Sequence, residues 1–350
     1  MQRSVFFLCF CLFFAAFPIL AAETGSVACQ KTDLGYSITI DGKPFAEYRH
    51  VGEPTPILWP LYAPGGELAT RAYPMIDHEK EDSVLKAAKQ PAAFESRDHP
   101  HHRSVWFNFG SVNGVDFWNI GDGRPFIKCT DLKPLQTAGD TVVLESRNDW
   151  INPKIPETPV CRDVRKTTFG KISDTIWYFD YEICIVADQH DVSFGDTKEG
   201  LFSIRVSGTV EVDAKSKNPN WGGTLVNAEG NKNADAWAKR SRWIDYTGPV
   251  YVNDSSRTEP EVDAPMKTIG LTVMDHPESF RHPTWWHVRT YGLLDANPFG
   301  LTEFQAGEDG RFTVKPGESI TFRYRILIHE GNLDKEQIEK LYAEYCARAK

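Results

Sequence analysis

The sequence predicts an all-β fold: one large antiparallel β-sandwich, supersandwich-like in size, with a single helix at its C-terminal end. Three observations carry this. Apolar and polar residues alternate at period two through long stretches, the mark of half-buried strands. The 350 residues include 10 Trp, 12 Tyr and 21 Phe against 4 Met, with 26 Gly and 22 Pro, a balance that favours strands and turns over a helix bundle. Only one segment, near the end, has convincing helical spacing. A hydrophobic share of 41% beside 25% charged residues supplies a core and excludes a disordered chain. The net charge of -9 argues against nucleic acid or an anionic membrane as partner, since both select a basic surface.

In chain order, the first segment is not part of the fold. Arg3 precedes an uncharged run from Ser4 to Leu20, closed by Ala21 and Ala22. A charged start, an apolar stretch and a small-residue exit predict a secretory signal peptide over residues 1–22. Residues 23–350 are then one β-sandwich domain, exported to the periplasm or the extracellular space. The apolar run is shorter than the ~20 residues that span a bilayer, and no later stretch approaches one, so no membrane span is expected. Five cysteines remain: Cys29, Cys129, Cys161, Cys184 and Cys346. An oxidising compartment permits one or two disulfides among them and leaves at least one thiol over.

Tyr36 to Ile40, Asp41-Gly42 and Lys43 to Tyr48 read as an opening hairpin. Thr141 to Ser146, Trp177 to Ile185, Phe202 to Val212, Thr268 to Met274, Phe312 to Val314 and Ser319 to Ile328 read as strands. Long loops are expected at about 74–98, 147–165 and 213–240, where a rigid β-scaffold usually builds its sites. The helix is expected over about 334–348: Ile338, Leu341, Tyr342 and Tyr345 recur at helical spacing, and Asp334 with Gln337 forms a capping-box pattern.

Two segments concentrate chemistry. Asp98-His99-Pro100-His101-His102-Arg103 places three of the ten histidines within four residues, in front of Trp106-Phe107. Imidazole suits acid–base work or metal ligation because it titrates near pH 6.5. In an extended chain His101 and His102 would point to opposite faces, so at most one would share a face with His99. The second segment runs from Asp275-His276-Pro277 through Arg281-His282-Pro283 to Trp285-Trp286-His287-Val288-Arg289. If extended, Trp285, His287 and Arg289 share a face, a stacking platform beside an imidazole and a cation, which is what a sugar ring needs. Trp286 on the other face is expected in the core. Glu199 opens a strand on which Arg205 shares a polar face with Ser203 and Ser207. Arg71 is a weaker candidate for a ligand contact.

The candidate catalytic residues are therefore His101, His102 and His287, with Glu199 or Asp275 as the carboxylate. The candidate substrate-binding residues are Arg71, Arg103, Arg205, Trp285 and Arg289. The two histidine-rich segments lie some 180 residues apart in sequence, and they are expected to meet in one pocket. No cofactor is predicted. The one open addition is a divalent metal, with His99, His101 and His287 as its ligands. No P-loop, H-E-x-x-H, G-x-S-x-G or Gly-rich dinucleotide fingerprint is present.

Arg71-Ala72-Tyr73-Pro74, the Asp98–Arg103 string, Val112-Asn113-Gly114-Val115-Asp116-Phe117-Trp118, and His282–Arg289 with Asn297-Pro298-Phe299-Gly300 resemble a secreted bacterial family labelled "methane oxygenase PmoA". The resemblance covers most of the mature chain. It implies export from polysaccharide-degrading bacteria and a fold similar to the galactose-mutarotase-type supersandwich. Three functions follow as expectations. The first is a carbohydrate-active enzyme using histidine and carboxylate acid–base chemistry on a sugar or oligosaccharide. The second is a non-catalytic glycan-binding protein. The third, from the family label, is a metal-dependent oxygenase built on two histidines and a carboxylate.

Overall fold

The computed structural model describes residues 26–76, 95–252 and 265–348. The predicted signal peptide and most of the 74–98 loop lie outside the described residues. The chain first lays down half of one sheet. β1 (Val27–Lys31), β2 (Gly35–Ile40), β3 (Lys43–Arg49), β4 (Ile57–Leu61) and β5 (Val105–Phe109) pair in sequence order. The β2–β3 hairpin turns at Asp41 and Gly42, both at positive φ, which is the geometry a two-residue hairpin loop requires.

β6 (Phe126–Gln136) starts a second sheet and β7 (Ala138–Gly139) returns to the edge of the first. β8 (Thr141–Ile151), β9 (Cys161–Ser173) and β10 (Ile176–Val186) then extend the second. After β11 (Val192–Phe194), β12 (Gly200–Arg205) goes back to the first sheet beside β5. β13 (Thr224–Asn227), β14 (Lys239–Arg240), β15 (Trp243–Tyr251), β16 (Met266–Asp275), β17 (Trp285–Trp286), β18 (Leu293–Ala296), β19 (Phe312–Val314) and β20 (Ser319–Glu330) complete the set. One sheet has ten strands, ordered β14-β17-β18-β12-β5-β4-β3-β2-β1-β7; the other has eight, ordered β13-β15-β16-β20-β10-β9-β8-β6. The strand pairings within them are antiparallel.

Period-two alternation sorts each strand between two environments. On β5, Val105, Phe107 and Phe109 enter the core between the sheets while Trp106 faces the other way. Across the core Phe202 stacks on Tyr324 at 4.9 Å, and Phe45 meets Trp177 edge-on at 5.4 Å. The helix α1 (Lys335–Arg348) is capped as its sequence predicts, with Asp334 and Gln337 each donating a backbone N–H to the other's side chain. Its Ile338, Tyr342 and Tyr345 pack against Tyr178, Trp243, Met274 and Leu327 on the outside of the eight-stranded sheet.

Several expectations change. The strand expected over Phe202 to Val212 stops at Arg205. Val206 adds only an isolated bridge to Thr70, and Ser207-Gly208-Thr209 turns the chain away, as that composition favours. Most of the 147–165 loop is strand, since β8 runs to Ile151 and β9 starts at Cys161. The 213–240 stretch carries β13, β14 and two short 3-10 turns. All five described cysteines are free thiols.

Candidate active site

The strands β5, β12 and β18 are neighbours in the ten-stranded sheet, and their outward residues build the floor of a cleft. Phe202, Ile204, Leu294 and Ala296 are used up by the core. The alternate positions put Trp106, Ser203, Arg205, Leu293 and Asp295 on the opposite face. Each is almost fully buried, because loops from three parts of the chain cover them. The cleft left above has a volume of about 280 Å³. His99, His101 and His102 line it from the loop before β5, Trp118 and Asn119 from the turn after β5, and Lys198 and Glu199 from the entry to β12. His287, Arg289 and Tyr291 line it from the β17–β18 connection. The two histidine-rich segments therefore meet in one cleft.

The histidine loop is not extended, which overturns the expectation that His101 and His102 diverge. His99 has φ 46° and Ser104 φ 59°, and the backbone N–H of His102 donates to the carbonyl of His99 at 2.9 Å. The turn brings all three imidazoles together: His102 stacks on His99 at 4.7 Å and meets His101 edge-on at 4.6 Å. Arg71 holds the turn from beneath. Its fully buried guanidinium donates to Asp98 at 2.7 Å and to the carbonyls of Tyr73, Ser96, His99 and His102. Arg71 is thus a scaffold of the cleft and does not line it.

Arg205 is buried in the same layer, bonded to Asp98 at 3.1 Å, Glu211 at 3.0 Å and Nδ1 of His102 at 3.0 Å. Its guanidinium lies 4.8 Å from the centre of the Tyr291 ring. A guanidinium only donates, so His102 Nδ1 accepts and the ring proton is on Nε2. Burial first, and then the Arg205 charge, hold His102 well below the usual imidazole range. Burial and the neighbouring His99 and Arg71 hold His101 at about 4. Both rings are neutral at pH 7.

His287 has the opposite tautomer. Its Nδ1 is 2.7 Å from the carbonyl oxygen of Lys198 and 3.3 Å from Oδ2 of Asp295. Both are acceptors, so Nδ1 carries a proton, and in the neutral ring the lone pair is on Nε2. That Nε2 is buried and has no hydrogen-bond partner among the described residues. Behind it, Asp295 accepts from Ser203 at 3.0 Å; burial pushes its carboxyl up to about 6, against the nearby His287 imidazole and the Ser203 hydrogen bond. Asp295 was missed in the sequence. Its only signal is a lone carboxylate in the apolar run Leu293-Leu294-Asp295-Ala296.

Other candidates fall outside the cleft. Asp275 is buried beneath α1, with Oδ2 accepting from His282 Nδ1 and from the backbone N–H of Thr284, both at 2.9 Å. Arg103 turns outward to Glu53 at 2.6 Å. Trp285 stacks on Phe304 at 6.1 Å, and Trp286 is in the core as expected. Glu199 lines the cleft and is 3.2 Å from Lys198 Nζ. The three histidines named for a metal, His99, His101 and His287, all line the cleft. Among the described residues no three His, Cys, Asp or Glu side chains are grouped to hold an ion. The Nδ1 atoms of His102 and His287 are already committed to Arg205 and the Lys198 carbonyl.

No described helix is long and apolar enough to cross a membrane. A family profile described as "Family of unknown function (DUF6807)" matches residues 35–343, a span that takes in every residue of the cleft. No curated protein matches the chain.

Proposed function

The chain belongs to this family of unknown function, and from that premise we propose that it is an exported carbohydrate-active enzyme whose cleft moves protons with His287 and His102. One observation carries the reading: two buried imidazoles lining the same cleft are fixed in opposite tautomers. His287 offers a basic Nε2, and Asp295 behind it stabilises the imidazolium that forms when a proton is taken. His102 offers an Nε2–H donor from a ring that burial and then Arg205 keep neutral, suited to polarising a substrate oxygen. The volume, about 280 Å³, is near the lower end of small-molecule sites, a match for about one sugar unit. Trp118 and Tyr291 add aromatic surface to its lining.

The sequence supports export through Arg3, the uncharged run to Leu20 and the Ala21-Ala22 exit. The two large facing sheets support the likeness to the galactose-mutarotase-type supersandwich, which bears on fold alone. The test is proton NMR of a panel of mono- and oligosaccharides with the wild type and with His287→Gln. Anomeric exchange, epimerisation or cleavage that is lost in the variant while binding persists is the expected result. Equal binding by both proteins with turnover by neither would assign a glycan-binding protein instead.

A further inference from the structure

Among the cleft's charged groups, Arg289 stands apart. Lys198 is paired with Glu199 at 3.2 Å and Glu303 at 2.6 Å. Arg71 and Arg205 share Asp98, and Arg205 also holds Glu211. Arg289 lines the cleft, and its guanidinium has no ion pair or side-chain hydrogen bond among the described residues. It lies across the indole of Trp237, 5.1 Å from the ring centre, which fixes its plane without neutralising its charge. Arg289 and His287 are two residues apart and line the same cleft. Among the described residues the cleft thus holds a planar cation without a counter-charge, two positions along the chain from a buried nitrogen without a hydrogen-bond partner.

We propose that the cleft takes an acidic sugar: Arg289 binds the carboxylate of a hexuronate residue, and His287 removes the proton from C5, the carbon next to it. This rests on the acid–base reading above and narrows it to one substrate class. A planar guanidinium matches a carboxylate with two parallel hydrogen bonds, which a neutral sugar cannot use. The neutral imidazoles of His101 and His102 do not compete for the anion.

The chemistry needs no further reactant. The C5–H bond breaks and its proton bonds to His287 Nε2. The electron pair forms a C5–C6 π bond, and the second negative charge on the carboxylate oxygens is met by Arg289. The imidazolium then has two outlets. It returns a proton to C5, so that solvent hydrogen exchanges there. Alternatively the electron pair moves to form the C4–C5 double bond, the C4–O bond breaks, and the departing oxygen takes the proton from the imidazolium. The second outlet leaves an unsaturated uronate and a shortened chain.

The experiment incubates the full chain in deuterated buffer with oligouronides, their carboxyl-reduced counterparts and sulfated neutral glycans. Mass spectrometry reads deuterium at C5 and ultraviolet absorbance reads the conjugated double bond. Exchange or elimination on oligouronides alone is expected. It should be abolished in His287→Gln and reduced roughly 10- to 100-fold in kcat/KM in Arg289→Gln, with partial recovery in Arg289→Lys. Unchanged melting temperatures of the variants exclude a folding cause. Equal turnover of carboxyl-reduced sugars, or an Arg289→Gln variant with wild-type kinetics, overturns the uronate assignment and leaves the acid–base reading standing. Oligouronides that fail to bind, or that bind without exchange or elimination, overturn the uronate step; the acid–base reading falls only if the wider sugar panel also shows binding without turnover.

Discussion

Asp98-His99-Pro100 and Asp275-His276-Pro277 share three residues and a place beside a strand of a large sheet, yet they end in opposite states. Asp98 is partly exposed. Burial works to raise it, but the guanidiniums of Arg205 and Arg71 outweigh burial and hold it at about 2. Fixed in that way, the turn after it presents three imidazoles to a cleft. Asp275 is completely enclosed. Burial raises its carboxyl, only partly offset by His282 and the Thr284 N–H, and Tyr342 of α1 donates to its backbone carbonyl at 3.2 Å. One carboxylate has two cations from distant segments and supports a site. The other has one imidazole and a helix on top, and supports packing. The partners brought by the fold decide the role, since the local string is the same.

The largest expected effect separates these roles in one pair of variants. His287→Gln should lower kcat by roughly 10²–10⁴, the usual contribution of a positioned general base, with an unfolding free energy within about 1 kcal/mol of wild type. Asp275→Ala should do the reverse. It leaves the His282 and Thr284 donors buried without an acceptor, at a cost of about 2–4 kcal/mol, while the folded protein keeps its kcat. Urea denaturation and steady-state kinetics on both proteins read the contrast. Loss of kcat in folded Asp275→Ala would break it.

Arg205→Met comes next and tests whether the cation network holds the cleft. It leaves Glu211 with only Lys217, at 3.9 Å, and removes one of two cations from Asp98, which should destabilise by about 3 kcal/mol. It also frees His102 Nδ1, so the His102 ring should titrate closer to the usual imidazole value, followed by its carbon-bound proton shifts in NMR. A His102 titration identical to wild type would show that Arg205 does not set its state.

The pH dependence carries two slopes of opposite sign. Folded His101 titrates at about 4, whereas an unfolded imidazole titrates near 6.5. Below about 6.5 the unfolded chain binds a proton that the fold refuses, so this contribution to stability is lost as pH falls towards about 4. Asp295 is raised from 3.8 to about 6. Between those values the unfolded carboxyl has released its proton and the folded one keeps it, so this contribution falls as pH rises. His101→Gln should flatten the acid-side loss and Asp295→Asn the opposite slope, in denaturation curves from about pH 4 to about pH 7. Activity should rise through about pH 6 as Asp295 ionises behind His287, and Asp295→Asn should remove that limb.

Regular backbone was legible in the sequence wherever one side chain in two meets a core. The β10 and β20 alternation, the Asp41-Gly42 hairpin and the Asp334/Gln337 cap each follow from local rules that the tertiary structure does not override. The meeting of the two histidine segments was legible as well, because both carry the same chemistry beside strands. The orientation inside the site was not. Period-two reasoning fails at His101 and His102 because positive φ at His99 and Ser104 curls the loop, and the residue enforcing the curl, Arg71, comes from a separate segment. Asp295 was hidden because a single carboxylate in a strand shows its role only when His287, from the neighbouring connection, lies against it.

The smallest effect concerns Arg103, the last residue of the histidine string. It tests whether that string acts as a unit or only through its inward-turned members. Ser104, at positive φ, follows Arg103, and the side chain leaves the cleft for Glu53, to which Nε and Nη2 both donate. An ion pair near the surface contributes about 1 kcal/mol or less. Arg103→Ala should therefore lower the unfolding free energy by no more than about 1 kcal/mol and leave kcat/KM unchanged on any substrate the cleft turns over. Arg289→Gln, at a residue 186 positions later in the chain, should change kcat/KM and leave stability alone. If Arg103→Ala instead matched the kinetic loss of Arg289→Gln, the boundary of the cleft would have to move to include the outer side of the histidine turn. The contrast with the buried, packing-directed Asp275 segment would then rest on the whole string, not on its three imidazoles.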